Sequence, residues 1–232
     1  MLFVKVIGTG SSGNSYILSH NDEILVLDAG LSLSEIKRGL DWKIEGVQGV
    51  LVTHAHKDHD KSVDDLKKIG IPVWQPYLDG VKGQMHQFGS FKVQSFEVPH
   101  DGEPCVGYYI KIDGQKILYA TDFEYLPVSF KKTRLNHMLI ECNHMKELVD
   151  KDACKYEHQI RGHCSLDTLI EKVIKENMTD DLRTVLLLHM SSDSCEPQEC
   201  VSQVQAIVGS DVTVEYARKG FGIELKRDSC PF

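Results

Sequence analysis

LVTHAHKDH, residues 51–59, is an apolar run that ends in His54, His56, Asp58 and His59. Three imidazoles and a carboxylate are crowded into one short loop. Imidazole nitrogen and carboxylate oxygen are the ligands of zinc and of harder divalent ions, and such a loop cannot easily bury four of them without something to satisfy them. A metal is the economical explanation; the plainer alternative is a solvated polar loop after a strand. His54 and His56 alternate on an extended segment and so point the same way, whereas Asp58 and His59 diverge and can serve a second ion. The spacing suggests a two-metal site.

Working outward, the strand Gly49 to Thr53 that delivers this loop is one of several that end in a metal-capable residue. Phe91 to Val98 alternates as a strand and leads to His100, Lys116 to Ala120 leads to Asp122, and Val185 to Leu188 leads to His189. A sheet whose strand ends gather at one rim brings these groups together, although each alone is more often a hydrogen-bonded boundary residue. Further strands are expected at Leu2 to Ile7, Ser15 to Leu18, Ile24 to Leu27, Ile71 to Trp74, Val106 to Ile112, Met138 to Ile140, Val212 to Tyr216 and Phe221 to Leu225. Helical spacing marks Ser62 to Ile69, Met145 to Arg161, a helix opened by Ser165 and another over Gln198 to Ile207. Gln75 to Gly89 has no clear pattern. GTGSSGN, residues 8–14, is a glycine and serine turn without the GK[ST] ending of a phosphate loop. It carries the backbone close beneath something, and a substrate or metal pocket is the functional reading.

The 232 residues suit one large domain, 1–232, with an ordinary composition of 41% hydrophobic and 26% charged residues. No window is apolar enough to span a bilayer, and the N-terminus reads as a first strand rather than a signal peptide, so a soluble cytoplasmic protein with no membrane partner is expected. Seven cysteines form an odd set without a CxxC pair, which fits reduced thiols. A net charge of −8 and a pI near 5.7 argue against a general nucleic-acid coat but not against a nuclease, whose ions supply local positive charge.

With these residues in view, the sequence resembles the metallo-β-lactamase superfamily, whose HxHxDH signature is met by His54, His56, Asp58 and His59. Within it the chain is similar to YycJ-type hydrolases and, more distantly, to ribonuclease Z. GSSGN (10–14), LDAGLS (27–32), ATD (120–122), ECNH (141–144), GHCS (162–165) and LLHMS (187–191) carry that likeness across most of the chain. The resemblance implies an α/β fold of the αββα four-layer sandwich type. It also implies two divalent ions, Zn²⁺ or Mn²⁺ with Fe possible in kind: His54, His56 and His100 hold the first, Asp58, His59 and His189 the second, and Asp122 bridges. Both His163 and His189 could claim the late ligand position. His189 ends a buried strand and is assigned to metal, while His163 lies in a break between helices and is assigned to catalysis. Asn143 and His144 match the ESNH pattern with Cys142 in place of Ser, and with Ser11 and Asn14 they are candidates for substrate contact. His86, His137 and His158 are read as surface or boundary residues.

Two ions roughly 3.5 to 4 Å apart acidify a bridging water and stabilise entering and leaving oxygens at phosphorus. The expected activity is a phosphodiesterase using a metal-bridging hydroxide, with Asp58 orienting it and His163 protonating the leaving alkoxide. The YycJ-type resemblance implies a DNA nuclease, in particular an exonuclease; Lys131, Lys132 and Arg134 could meet a backbone, or form a solvated loop. The acidic balance keeps a cyclic-nucleotide phosphodiesterase as the alternative, and an inert metal-binding interaction protein stands outside enzymology. A nucleic acid or nucleotide is thus the expected partner. The sequence sets no oligomeric state, and a homodimer is compatible with it.

Overall fold

The computed structural model describes residues 1–79, 83, 85–154 and 156–227. Strands β1 (Leu2–Gly8), β2 (Ser15–His20), β3 (Glu23–Leu27), β4 (Val47–Leu51), β5 (Val73–Trp74) and β13 (Gly222–Glu224) form one sheet in the order β13-β1-β2-β3-β4-β5. The second has the order β12-β11-β10-β9-β8-β7-β6, built from β6 (Met85–Phe88), β7 (Phe91–His100), β8 (Glu103–Ile112), β9 (Gln115–Ala120), β10 (His137–Glu141), β11 (Thr184–Leu188) and β12 (Thr213–Tyr216).

The strands that read as continuous apolar runs are those buried on both faces. Along β3, Leu25 and Leu27 enter the core between the sheets, while Ile24 and Val26 face outward to Ile36 of α1 (Leu33–Gly39) and Leu66 of α3 (Val63–Lys68). The second sheet repeats the alternation. Tyr119, Leu139 and Leu186 point inward, and Leu118, Ile140 and Leu187 pack under the helices on the far side. Those helices are α8 (Pro197–Val208) and a helical run from α6 (Leu166–Thr168) through a π-helical stretch, Leu169–Ile174, to α7 (Lys175–Asn177). Helix, sheet, sheet and helix therefore stack as an αββα sandwich. Each fully buried leucine contributes about 1.5–3 kcal/mol to it.

Parallel pairing places the functional loops. β9, β10, β11 and β12 run parallel in register, with Ala120 beside Ile140 and Glu141 beside Leu188. β3 and β4 are parallel in the other sheet, and the C-terminal ends of β3, β4, β7, β9, β10 and β11 meet at one rim.

Two expectations need correcting. Met145 to Arg161 is not one helix: a 3-10 turn, Lys146–Leu148, precedes α5 (Tyr156–Gly162). The Asp150 carboxylate accepts the Asp152 N–H at 3.0 Å, a local turn that competes with helix. The unpatterned stretch after Gln75 contains α4 (Pro76–Asp79) and the edge strand β6; residues 80–82 and 84 lie outside the described residues.

Candidate metal centre

The loop after β4 turns through α2 (Lys57–Asp60), which carries Asp58 and His59 inward. Its floor is polar and buried. Asp28 accepts the Thr53 N–H at 2.8 Å and the His59 Nδ1–H at 2.9 Å, and the Tyr119 hydroxyl from the opposite sheet donates to the same carboxylate. The Asn14 N–H donates to the Asp58 carbonyl at 2.7 Å. Gly30 is required beneath this loop, because a Cβ there would lie 1.6 Å from the Asp58 carbonyl oxygen.

The other groups arrive singly from the second sheet. His100 ends β7 and donates Nδ1–H to the Gly162 carbonyl at 2.7 Å. Asp122 follows β9 and His189 follows β11, with φ of 55° and 51°. With Asp28 at 59°, three non-glycine residues of this basin hold left-handed backbone, a strain that persists only where the surroundings impose it. The buried Glu141 at the end of β10 holds this side together. Its Oε1 lies 2.8 Å from both His163 Nδ1 and His189 Nδ1, and its Oε2 accepts the Phe123 and Cys164 N–H groups at 3.1 and 3.0 Å.

The consequence is a set of imidazoles with one nitrogen committed to the protein and the other turned to a common basin, His59 Nε2 also lying 2.9 Å from the Asn14 amide nitrogen. His59, His100 and His189 are anchored through Nδ1, and His54 Nδ1 lies 3.0 Å from Thr53 Oγ1. Nε2 of His54 and of His100 lie 3.0 and 3.2 Å from His56 Nδ1. Asp122 stands between two clusters, with carboxylate oxygens 3.7 Å from His54 Nε2 and 3.4 Å from His59 Nε2. Asp58 closes the second, 3.5 Å from His59 Nε2 and 3.8 Å from His189 Nε2. The His54, His56, His100, Asp122 donors lie within 4.8 Å of one another, as do those of Asp58, His59, Asp122 and His189. His189 Nε2 is buried without a hydrogen-bond partner. Nitrogen and oxygen donors with supported outer nitrogens suit a divalent cation, and that orphaned nitrogen needs one.

Electrostatics point the same way. Burial disfavours the charged form of His59, but Asp122 and Asp28 outweigh it and hold its pKa well above the ordinary value. His189 is pushed up to about 10 against its burial by the nearby carboxylates of Asp122, Asp58 and Glu141. His54 goes well below the usual range through burial and the neighbouring His59. Glu141, whose burial works upward, is drawn down to about 2 chiefly by His163. The carboxylates demand positive charge, which imidazolium protons or a metal ion can supply in competition.

All seven expected ligands, His54, His56, Asp58, His59, His100, Asp122 and His189, are brought together. His163 lies at their edge, its ring 5.2 Å from that of His189. The substrate candidates divide. Ser11 is exposed in its turn, whereas Asn14 is fully buried behind the ligand loop, its amide nitrogen 2.9 Å from His59 Nε2. Asn14 therefore holds the loop instead of facing substrate. Asn143 is buried too, donating to the His189 carbonyl at 3.0 Å, and His144 is buried with Nδ1 unpartnered. His137 is no surface residue: it is buried, 2.9 Å from Gln115 Oε1. His158 stands at the mouth, 5.5 Å from the His163 ring and hydrogen-bonded to Asp101. Arg134 is committed to Asp181 through two hydrogen bonds. Asp28 and Glu141 were missed as functional residues; the available signal was a carboxylate directly after an apolar run.

Comparison with known proteins agrees with this geometry. Residues 8–82 match the metallo-beta-lactamase superfamily. The chain is 26% identical to exodeoxyribonuclease YycJ of Bacillus anthracis, over 96% of this chain and 92% of the relative. Exodeoxyribonuclease WalJ of Streptococcus pneumoniae is 28% identical, covering 82% of each chain. Among solved structures, the metallo-beta-lactamase fold protein YhfI of Bacillus subtilis superposes with a TM-score of 0.71 at 18% identity, over 96% of this chain and 98% of that one.

Proposed function

We propose, from the match of residues 8–82 to the metallo-beta-lactamase superfamily and the similarity to the YycJ and WalJ proteins, that the chain is a metal-dependent DNA exonuclease of the cytoplasm. The convergence of the His54 and His59 Nε2 atoms on the Asp122 carboxylate, with the donors of His56, His100, Asp58 and His189 within 4.8 Å of it, carries this reading. His54, His56 and His100 would hold one divalent ion, zinc or manganese, and Asp58, His59 and His189 would hold another, with Asp122 available to both. Bound there, two such cations acidify water and neutralise charge that develops on phosphoryl oxygens.

The residues divide the remaining work. Asp58, whose side chain is 25% exposed, accepts a hydrogen bond from the attacking water and aims its lone pair at phosphorus. Glu141 fixes His163 Nδ1, so Nε2 is the atom that meets substrate and donates a proton to the departing 3′ or 5′ oxygen. Glu141 orients His163 and His189 without touching substrate. Two exodeoxyribonucleases among the relatives support DNA over the cyclic-nucleotide alternative, and attack at a strand end suits a chain with a net charge of −8.

The test is elemental analysis of purified protein together with assays on end-labelled single- and double-stranded DNA, RNA and cyclic nucleotides. Two ions per chain and mononucleotide release from DNA are expected. Fewer than about one ion per chain without activation by added zinc or manganese would sink the hydrolase reading, and preference for cyclic nucleotides would replace the DNA assignment. Asp58→Ala is expected to abolish turnover with the fold intact by circular dichroism.

A further inference from the structure

Behind the basin, on the helix side of the second sheet, three thiols from separate segments meet. Cys142 follows Glu141, Cys195 lies on the loop after β11, and Cys200 sits in α8. All three are buried within the apolar cluster beneath α8. Their sulfurs lie within 4.8 Å of one another, with Cys195 and Cys200 3.3 Å apart, and all three are free thiols. Sulfur packs well as a small hydrophobe, but packing alone does not require three sulfurs to face one point.

We propose that Cys142, Cys195 and Cys200 form a second, all-sulfur site for one thiophilic d10 cation, with Cu(I) matching three donors best. Neither carboxylate nor imidazole belongs to this donor group, and thiolate-only surroundings select soft ions. At a metal–sulfur bond of about 2.3 Å, three sulfurs in a plane around an ion stand about 4.0 Å apart. The Cys195–Cys200 separation is 3.3 Å and the other two are no more than 4.8 Å, so small side-chain rotations bring the three sulfurs to that spacing. The Cys195 and Cys200 sulfurs are already in hydrogen-bond contact. Binding displaces the thiol protons to solvent. Cys195, at 7% exposure the least buried of the three, is the entry point.

The site stands apart from the His/Asp basin, so its test does not depend on the nuclease reading. Full-length protein is saturated with zinc, then titrated anaerobically with Cu(I) in competition with a chromophoric chelator. One copper per chain is expected, with ultraviolet thiolate-to-copper charge transfer and zinc retained. Cys200→Ser and Cys142→Ser are expected to weaken copper binding by more than the roughly 10–100-fold that loss of a mere supporting group costs. Cys154→Ser, which removes an exposed thiol outside the cluster, should leave binding unchanged. Equal copper affinity in Cys200→Ser, or copper uptake without charge transfer, overturns the proposal. Should either cluster variant fail to fold, peptide mapping of the unmutated protein decides. Copper must then protect Cys195 but not Cys154 from iodoacetamide, and equal labelling of Cys195 with and without copper overturns it.

Discussion

The two sheets furnish the candidate metal centre in opposite ways. The first contributes His54, His56, Asp58 and His59 from one loop, seated on Asn14, Asp28 and Gly30. The second contributes His100, Asp122 and His189 from the ends of three strands, and their spacing is set by parallel register and by Glu141. On one side the ligand geometry is a local property of a turn; on the other it is a property of the whole sheet. The loop should therefore fail by displacement as a unit, and the sheet side by losing one group at a time.

The sharpest way to break this division is to remove the residue both clusters share. Asp122→Ala is expected to lower metal content at both positions and turnover by about 10³-fold or more, read by elemental analysis and DNA hydrolysis. Gly30→Ala attacks only the loop. Its methyl group collides with the Asp58 carbonyl, and a ligand shift near 1 Å costs on the order of 10²-fold in turnover. Loss of the Asp58-side ion with the other retained is the expected pattern; loss of both equally would erase the distinction between the sides. Glu141→Gln tests the sheet. The carboxylate accepts four N–H groups, and an amide turns one accepting end into a donor facing them. A fall of roughly 10–100-fold in activity is expected, with His54 and His56 unmoved in nuclear magnetic resonance spectra.

This division also explains what the sequence made legible. Residues 51–59 announce a metal site because the ligands are contiguous, and the interior strands announce themselves because both faces are apolar. His100, Asp122 and His189 were readable only as a recurrence of strand ends, since the register that joins them spans 90 positions from His100 to His189 in tertiary structure alone. Asp28 and Glu141 were opaque for a further reason. A carboxylate after a strand reads as a solvated boundary until its partners are seen, and those partners lie on other strands. Asn14, a candidate for substrate contact in the sequence, is instead satisfied in the interior by backbone groups and His59. The helix expected over Met145 to Arg161 gave way to a turn because short-range bonding by Asp150 competes with helical hydrogen bonds.

The smallest expected effect sharpens the claim that the loop is a local device. Helix α1 packs on the outer face of the first sheet and carries no ligand. Ser32 caps it, accepting the Glu35 N–H while the Glu35 carboxylate accepts the Ser32 N–H at 3.2 Å. Ser32→Ala removes half of this reciprocal pair and should cost about 1 kcal/mol, lowering Tm by roughly 2–4 °C in a chain of this size. Ser32 lies only two residues from Gly30, yet its hydroxyl supports the helix and not Asp58. Metal content and DNA hydrolysis should therefore be unchanged in the variant, measured beside its thermal unfolding. A loss of metal matching that of Gly30→Ala would show that the loop leans on the helix layer and is not held by its own floor.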